Sequence, residues 1–138
     1  MLENIIICKK LGVLVRYFQE FRQLTENLDM NTYLNNIMLK RALEREMQLI
    51  VECATDVNNM ILKKQGEAPA KDYYNSFIDL AEKNIIDMDF ALQIAPSTGL
   101  RNILVHEYQK IDDAIVFHSI NQVKKHYAKY IENISRYL

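Results

Sequence analysis

Apolar side chains recur at helical spacing along most of the chain. From about Leu2 to Leu24, the residues Ile7, Leu11, Leu14, Phe18 and Phe21 follow one another in steps of four, three, four and three. Lys9, Lys10, Arg16, Gln19, Glu20 and Arg22 fall largely off that line, so the segment is expected to be an α-helix with one buried stripe. Asp29-Met30-Asn31 breaks the pattern and offers a helix start. A second helix is predicted from about Thr32 to Lys64, with no Gly or Pro inside it. There Leu39, Leu43, Met47, Ile50, Val57 and Ile61 repeat at helical steps, Ala54 fills the gap, and Leu49, Cys53 and Met60 widen the apolar face. At about 100° per residue these positions cover well over half the circumference, which suits a central helix packed on more than one side. A narrow polar stripe remains: Arg41, Arg45, Gln48, Glu52, Asp56 and Asn59. It fits a solvated face with ion pairs worth about 0.2–0.5 kcal/mol each, and it fits equally the border of a polar groove.

Gln65 to Ala70 is the clearest loop, because Gly66 terminates a helix and Pro69 prevents its continuation. A third helix is predicted from about Asp72 to Lys83, with Tyr73, Phe77, Leu80 and Ala81 on one face. A short apolar piece from Asp89 to Ala95 stops at Pro96, and Ser97 or Thr98 is expected to cap a helix entering Leu100 to Glu107. The last helix, about Asp112 to Leu138, carries Val116, Ile120, Val123, Tyr127, Ile131 and Ile134 at helical steps. No internal repeat or low-complexity tract interrupts the series. The pattern predicts an all-α bundle of five or six helices, one domain over residues 1–138.

Composition narrows the function. With 3 Gly and 2 Pro in 138 residues, turn formers are too few for a many-stranded sandwich or barrel. Seventeen basic against eighteen acidic residues argue against general coating of a nucleic acid, so a polyanion site has to be a local patch. Cys8 and Cys53 both sit in apolar helical patterns, which fits a reduced, cytoplasmic setting. Lys9 and Lys10 cut off the apolar run Ile5 to Cys8, too short for a signal core or a membrane span, so no membrane partner is expected. Neither a Gly-rich phosphate loop nor a Gly-x-Ser-x-Gly elbow occurs, and His106, His118 and His126 lack paired metal spacing. No metal and no cofactor is expected.

One stretch concentrates chemistry: Gly99-Leu100-Arg101-Asn102-Ile103-Leu104-Val105-His106-Glu107-Tyr108. With Arg101 at zero on a helical wheel, Asn102 lies at roughly 100°, His106 at roughly 140° and Tyr108 at roughly −20°. Ile103 and Leu104 fall on the other side, toward a core. The shared surface holds a permanent cation, an amide, an imidazole and a phenol. Those groups suit phosphodiester chemistry on RNA. A neutral His takes the proton of a 2′-hydroxyl, a protonated His supplies one to the leaving 5′-oxygen, and Arg stabilises the charged phosphorane. One chain offers a single His in this cluster, whereas a two-fold dimer joined at this helix would supply two. By spacing alone, an ordinary exposed helix face describes the same residues.

Arg, four residues, His, one residue, Tyr resembles the signature of the HepT branch of the HEPN superfamily, here Arg101, His106 and Tyr108 with a polar Asn102 after the Arg. Gly99-Leu100 before the motif and Ile111-Asp112 after it are similar to the family context, and Arg41 to Arg45 through Glu52 and Asp56 resemble its long central helix. The resemblance implies an all-α, two-fold homodimeric toxin with metal-independent endoribonuclease activity. Arg101 and His106 would carry RNA cleavage and Asn102 would support them; on the groove reading of the polar stripe, Arg41, Arg45, Glu52 and Asp56 are its candidate lining. It also implies an antitoxin partner, a minimal nucleotidyltransferase of the MntA type that moves AMP from ATP to Tyr108. RNA is then the expected substrate, and DNA is not. Two other readings stay open: a non-catalytic accessory subunit of such a nucleotidyltransferase, with Tyr108 as its modification site, and a plain structural dimer.

Overall fold

The broadest apolar face in the sequence becomes the central helix, and the other elements pack around it. The computed structural model describes residues 1–106 and 111–138. Among the described residues seven helices follow one another: α1 (Leu2–Thr25), α2 (Met30–Asn35), α3 (Ile37–Lys64), α4 (Tyr73–Glu82), α5 (Met88–Ile94), α6 (Ser97–His106) and α7 (Asp113–Tyr137). The all-α architecture read from the sequence is the one the chain adopts. Helix α3 touches α1, α2, α4 and α6, while α7 lies against α1, α2 and α5. None of the helices described is long and apolar enough to cross a membrane.

The predicted stripes are the buried ones. Ile7, Leu11, Leu14, Phe18 and Phe21 of α1 face Leu43, Met47, Ile50, Ala54, Val57 and Ile61 of α3, and all are buried. Burying side chains of this size stabilises the fold by about 1.5–3 kcal/mol each before the entropy of ordering them is subtracted. Tyr127 and Tyr130 of α7 are core residues as well, with ring centroids 6.0 Å apart, and Tyr130 meets Phe77 of α4 edge-on.

Helix ends follow local chemistry. At the end of α3, Gly66 takes a left-handed φ of 80°. Its amide donates to the Lys63 carbonyl and the Glu67 amide to the Leu62 carbonyl, which satisfies two carbonyls of the last turn. Asn84 ends α4 in the same manner, with φ 61° and amide bonds from Asn84 to Ala81 and from Ile85 to Leu80.

Two boundaries differ from the sequence reading. The helix expected from Thr32 to Lys64 is divided: Asn36 is extended, and its side chain accepts from the Leu39 amide, capping α3 afresh after α2 has ended. Asp29 caps α2 by accepting from Thr32. Neither Ser97 nor Thr98 acts as a side-chain cap for α6. The helix already includes both, and their hydroxyls are engaged elsewhere, Ser97 with the Tyr127 hydroxyl at 2.7 Å and Thr98 donating to the Ala95 carbonyl at 2.7 Å.

Candidate nuclease site

Helix α6 is amphipathic in the sense the wheel requires. Leu104 is buried against the core and Ile103 is half-buried, while Asn102 and His106 are exposed. Arg101 lies between these faces and turns inward to α3. Its Nε and Nη2 both donate to Glu52 Oε2, at 2.9 and 2.7 Å. Its Nη1 donates to Asn102 Oδ1 at 3.2 Å, and its Cζ stands 4.8 Å from the centroid of the Tyr73 ring. Gln48 donates to the same Glu52 oxygen at 3.2 Å. Only 14% of the Arg101 side chain remains exposed. An arginine held on its edge and its face cannot swing freely, so its remaining N–H groups point in a fixed direction.

His106 is the last residue of α6 and is exposed. It follows Arg101 by five positions, a separation of about 7.5 Å along the helix axis. At roughly 140° around that axis from Arg101, it flanks the cation rather than touching it. Tyr108, the expected modification residue, lies outside the described residues.

The four residues expected to line a groove each meet a different environment. Glu52 joins Arg101. Arg41 is paired with Glu44, its Nη1 lying 3.0 Å from each carboxylate oxygen of that buried side chain. Arg45 is exposed on the next turn. Asp56 turns toward α1, where it meets Lys10 at 3.0 Å, and that hydrogen bond holds the Lys10 ammonium above its usual pKa. The polar stripe of α3 is thus shared between two neighbouring helices, with Glu52 serving α6 and Asp56 serving α1.

Tyr73 was legible only as a packing residue of the third helix. Its position directly after the capping Asp72, whose side chain accepts from the Asn75 amide, brings it to the start of α4, where the ring covers Arg101. The three histidines stay apart: His118 is exposed on α7, and His126 is half-buried against Phe90. Among the described residues no group of three or more His, Cys, Asp or Glu is arranged to hold a metal ion.

Comparison with known proteins places the whole chain in a family. The family model described as ribonuclease HepT-like matches residues 14–134. The tRNA nuclease HepT of Aphanizomenon flos-aquae is 36% identical over 137 residues, covering 99% of this chain and 92% of that protein. The mRNA nuclease HepT of Shewanella oneidensis is 26% identical over 131 residues, 95% of this chain and 97% of its own length. A solved structure of a tri-AMPylated Shewanella oneidensis HEPN toxin in complex with an MNT antitoxin superposes with a TM-score of 0.84 at 25% identity, over 95% of this chain and 97% of that one. The chain belongs to the ribonuclease HepT-like family.

Proposed function

We propose that the protein is the toxin of a toxin–antitoxin pair and cuts RNA without a metal ion, at a site completed by a second copy of the chain. The observation that carries this reading is the fixed Arg101 guanidinium on the same short helix as an exposed His106. In the reaction, one His106 takes the proton of a 2′-hydroxyl, whose oxygen forms a bond to phosphorus. The bond from phosphorus to the 5′-oxygen breaks, and the second His106 returns a proton to that leaving oxygen. Arg101 faces the charge that builds on the phosphorane, where a pre-set donor is worth more than one that has to reorganise. Asn102 holds Nη1 of the guanidinium in place.

Two features favour a second copy at this helix. One chain carries a single histidine on this helix, so a separate imidazole acid and imidazole base for one phosphate need a second subunit. Moreover, the exposed apolar side chains Leu34, Ile37, Met38 and Ile115 gather where α3 and α7 begin. Lys40 ties those two helix starts together through Asp113 at 2.9 Å. Arg101 of α6 meets Glu52 on α3, the helix whose first turns carry that apolar end. The likeness to a toxin solved with its MNT antitoxin supports a nucleotidyltransferase partner that transfers AMP from ATP to Tyr108.

The test is cleavage of RNA by the purified protein in EDTA, with Arg101→Ala and His106→Ala as variants. Cleavage by the wild type and its loss in both variants, with unchanged circular dichroism, is the expected result. Full activity of His106→Ala would overturn the reading. A wild type that never cuts RNA, yet takes AMP on Tyr108, would make it an accessory subunit instead.

A further inference from the structure

We infer that Glu52 and Tyr73 are positioning residues for Arg101, setting its guanidinium before any substrate arrives so that one edge is reserved for phosphate. The inference rests on the nuclease reading above and adds to it two residues from outside the motif helix. A guanidinium has five N–H groups in one plane. Glu52 Oε2 takes Nε–H and one hydrogen of Nη2, Asn102 takes one of Nη1, and the Tyr73 ring covers a face. Among the described residues no other partner engages the cation, so the outer Nη1/Nη2 edge remains for a two-pronged phosphate contact.

Both supports come from rigid elements. Glu52 sits in the middle of α3, with Gln48 one turn earlier bonded to the same oxygen. Tyr73 opens α4, and its carbonyl accepts from the Ser76 hydroxyl at 2.7 Å. Holding the long Arg side chain in this way removes its rotamer entropy during folding rather than during catalysis.

The carboxylate has a second effect. It offsets part of the cation's charge, so a ground-state phosphodiester is attracted less strongly than by a bare arginine. The phosphorane carries more negative charge than the substrate and gains more from a correctly aimed cation. Removing Glu52 should therefore lower kcat without raising KM.

The experiment compares wild type with Glu52→Ala, Glu52→Gln, Tyr73→Ala and Tyr73→Phe, each assayed for kcat, KM and thermal midpoint. Glu52→Ala is expected to lose about 10–100-fold in kcat at an unraised KM, the scale of a misplaced catalytic group. Glu52→Gln keeps an oxygen acceptor and should recover most of that loss, as Tyr73→Phe should relative to Tyr73→Ala. Wild-type kcat in Glu52→Ala would overturn the inference. So would a loss that glutamine fails to recover and that tracks a fallen thermal midpoint, which is a purely structural role. Full activity of Arg101→Ala would sink the nuclease reading itself, a result separate from either.

Discussion

The Tyr130 hydroxyl donates to Asn58 Oδ1 at 2.5 Å in the interior of the bundle. From there Asn58 Nδ2 donates to Ser76 Oγ at 3.0 Å, and Ser76 donates to the Tyr73 carbonyl. All three side chains, Tyr130, Asn58 and Ser76, are 0% exposed. The Ala54 carbonyl also lies 3.0 Å from the Tyr130 oxygen. This directed chain joins α7, α3 and α4, and it ends at the residue whose ring covers Arg101.

Tyrosine-to-phenylalanine exchange should separate this chain from a second buried phenol. Tyr130→Phe leaves Asn58 Oδ1 without its donor in a dry core and should cost about 1–3 kcal/mol. The Tyr33 hydroxyl is buried with no hydrogen-bond partner among the described residues. Tyr33→Phe should therefore be neutral or stabilising by up to about 1 kcal/mol. Denaturant unfolding of the two variants checks the contrast, which vanishes if the hydroxyls contribute alike.

Glu46 links stability to pH. Burial raises its carboxyl first, the Glu20 carboxylate across the α1–α3 contact raises it further, Arg16 opposes, and the result is pushed up to about 7. Its Oε2 is buried without a donor, a lack that a proton shared with Glu20 would make good. The folded protein holds this proton more tightly than the unfolded chain, whose glutamates titrate near 4.5. The associated stability is full below that lower value and is lost as pH rises through about 7. Glu46→Gln should match wild type near pH 4 and exceed it at about pH 8, by about 1 kcal/mol once solvent screening is allowed for. Unfolding curves at the two pH values decide it. A wild-type stability that fails to decline over this range would show that Glu46 carries no such proton.

Much of this bundle was legible in the chain, and what was not has a common cause. The α1 and α7 stripes appear as buried faces because a 3.6-residue period leaves few alternatives for side chains as apolar as Leu14, Phe21 or Ile134. The break at Asn36 was missed because the apolar period continues through it, while the signal against it is only one Asn able to cap. Arg101, Asn102 and His106 could be marked as chemistry from type and spacing. The partner of Arg101 could not, since Glu52 and Asp56 are one helical turn apart on one polar stripe, and only the packing of α1 and α6 on either side assigns one to each. For the same reason Tyr73 looked like core: its contact with Arg101 arises where α4 and α6 approach, and no local pattern encodes that.

Charging the apolar end should separate the subunits of the proposed dimer. Met38 is 82% exposed and Ile115 62%, on the first turns of α3 and α7. Such side chains cost little in the monomer's own core, so replacing them leaves the fold intact. Met38→Asp with Ile115→Asp places two carboxylates on each face of a two-fold contact, where like charges meet across the axis. The double variant should elute as a monomer in size exclusion with light scattering, keep its thermal midpoint, and lose RNA cleavage. A variant that remains dimeric and active would move the interface elsewhere on the surface.

The proposed silencing by adenylylation makes its own demand on Tyr108. An AMP group joined to the phenol brings a bulky base and a phosphodiester charge within two residues of His106. That phosphate resembles the substrate's own, so the outer edge of Arg101 would hold it in place of RNA, and the site would be blocked by its own ligand chemistry. Incubation with ATP, magnesium and an MntA-type nucleotidyltransferase should add adenylyl mass to the wild type and abolish its cleavage. Tyr108→Phe should acquire no label at that position and keep cutting RNA in the presence of the partner. An Arg101→Ala protein should still be labelled, because modification needs the phenol and not the cation. If labelled wild type cuts RNA at full rate, the modification does not act at this site, and the antitoxin has to silence the enzyme by covering it instead.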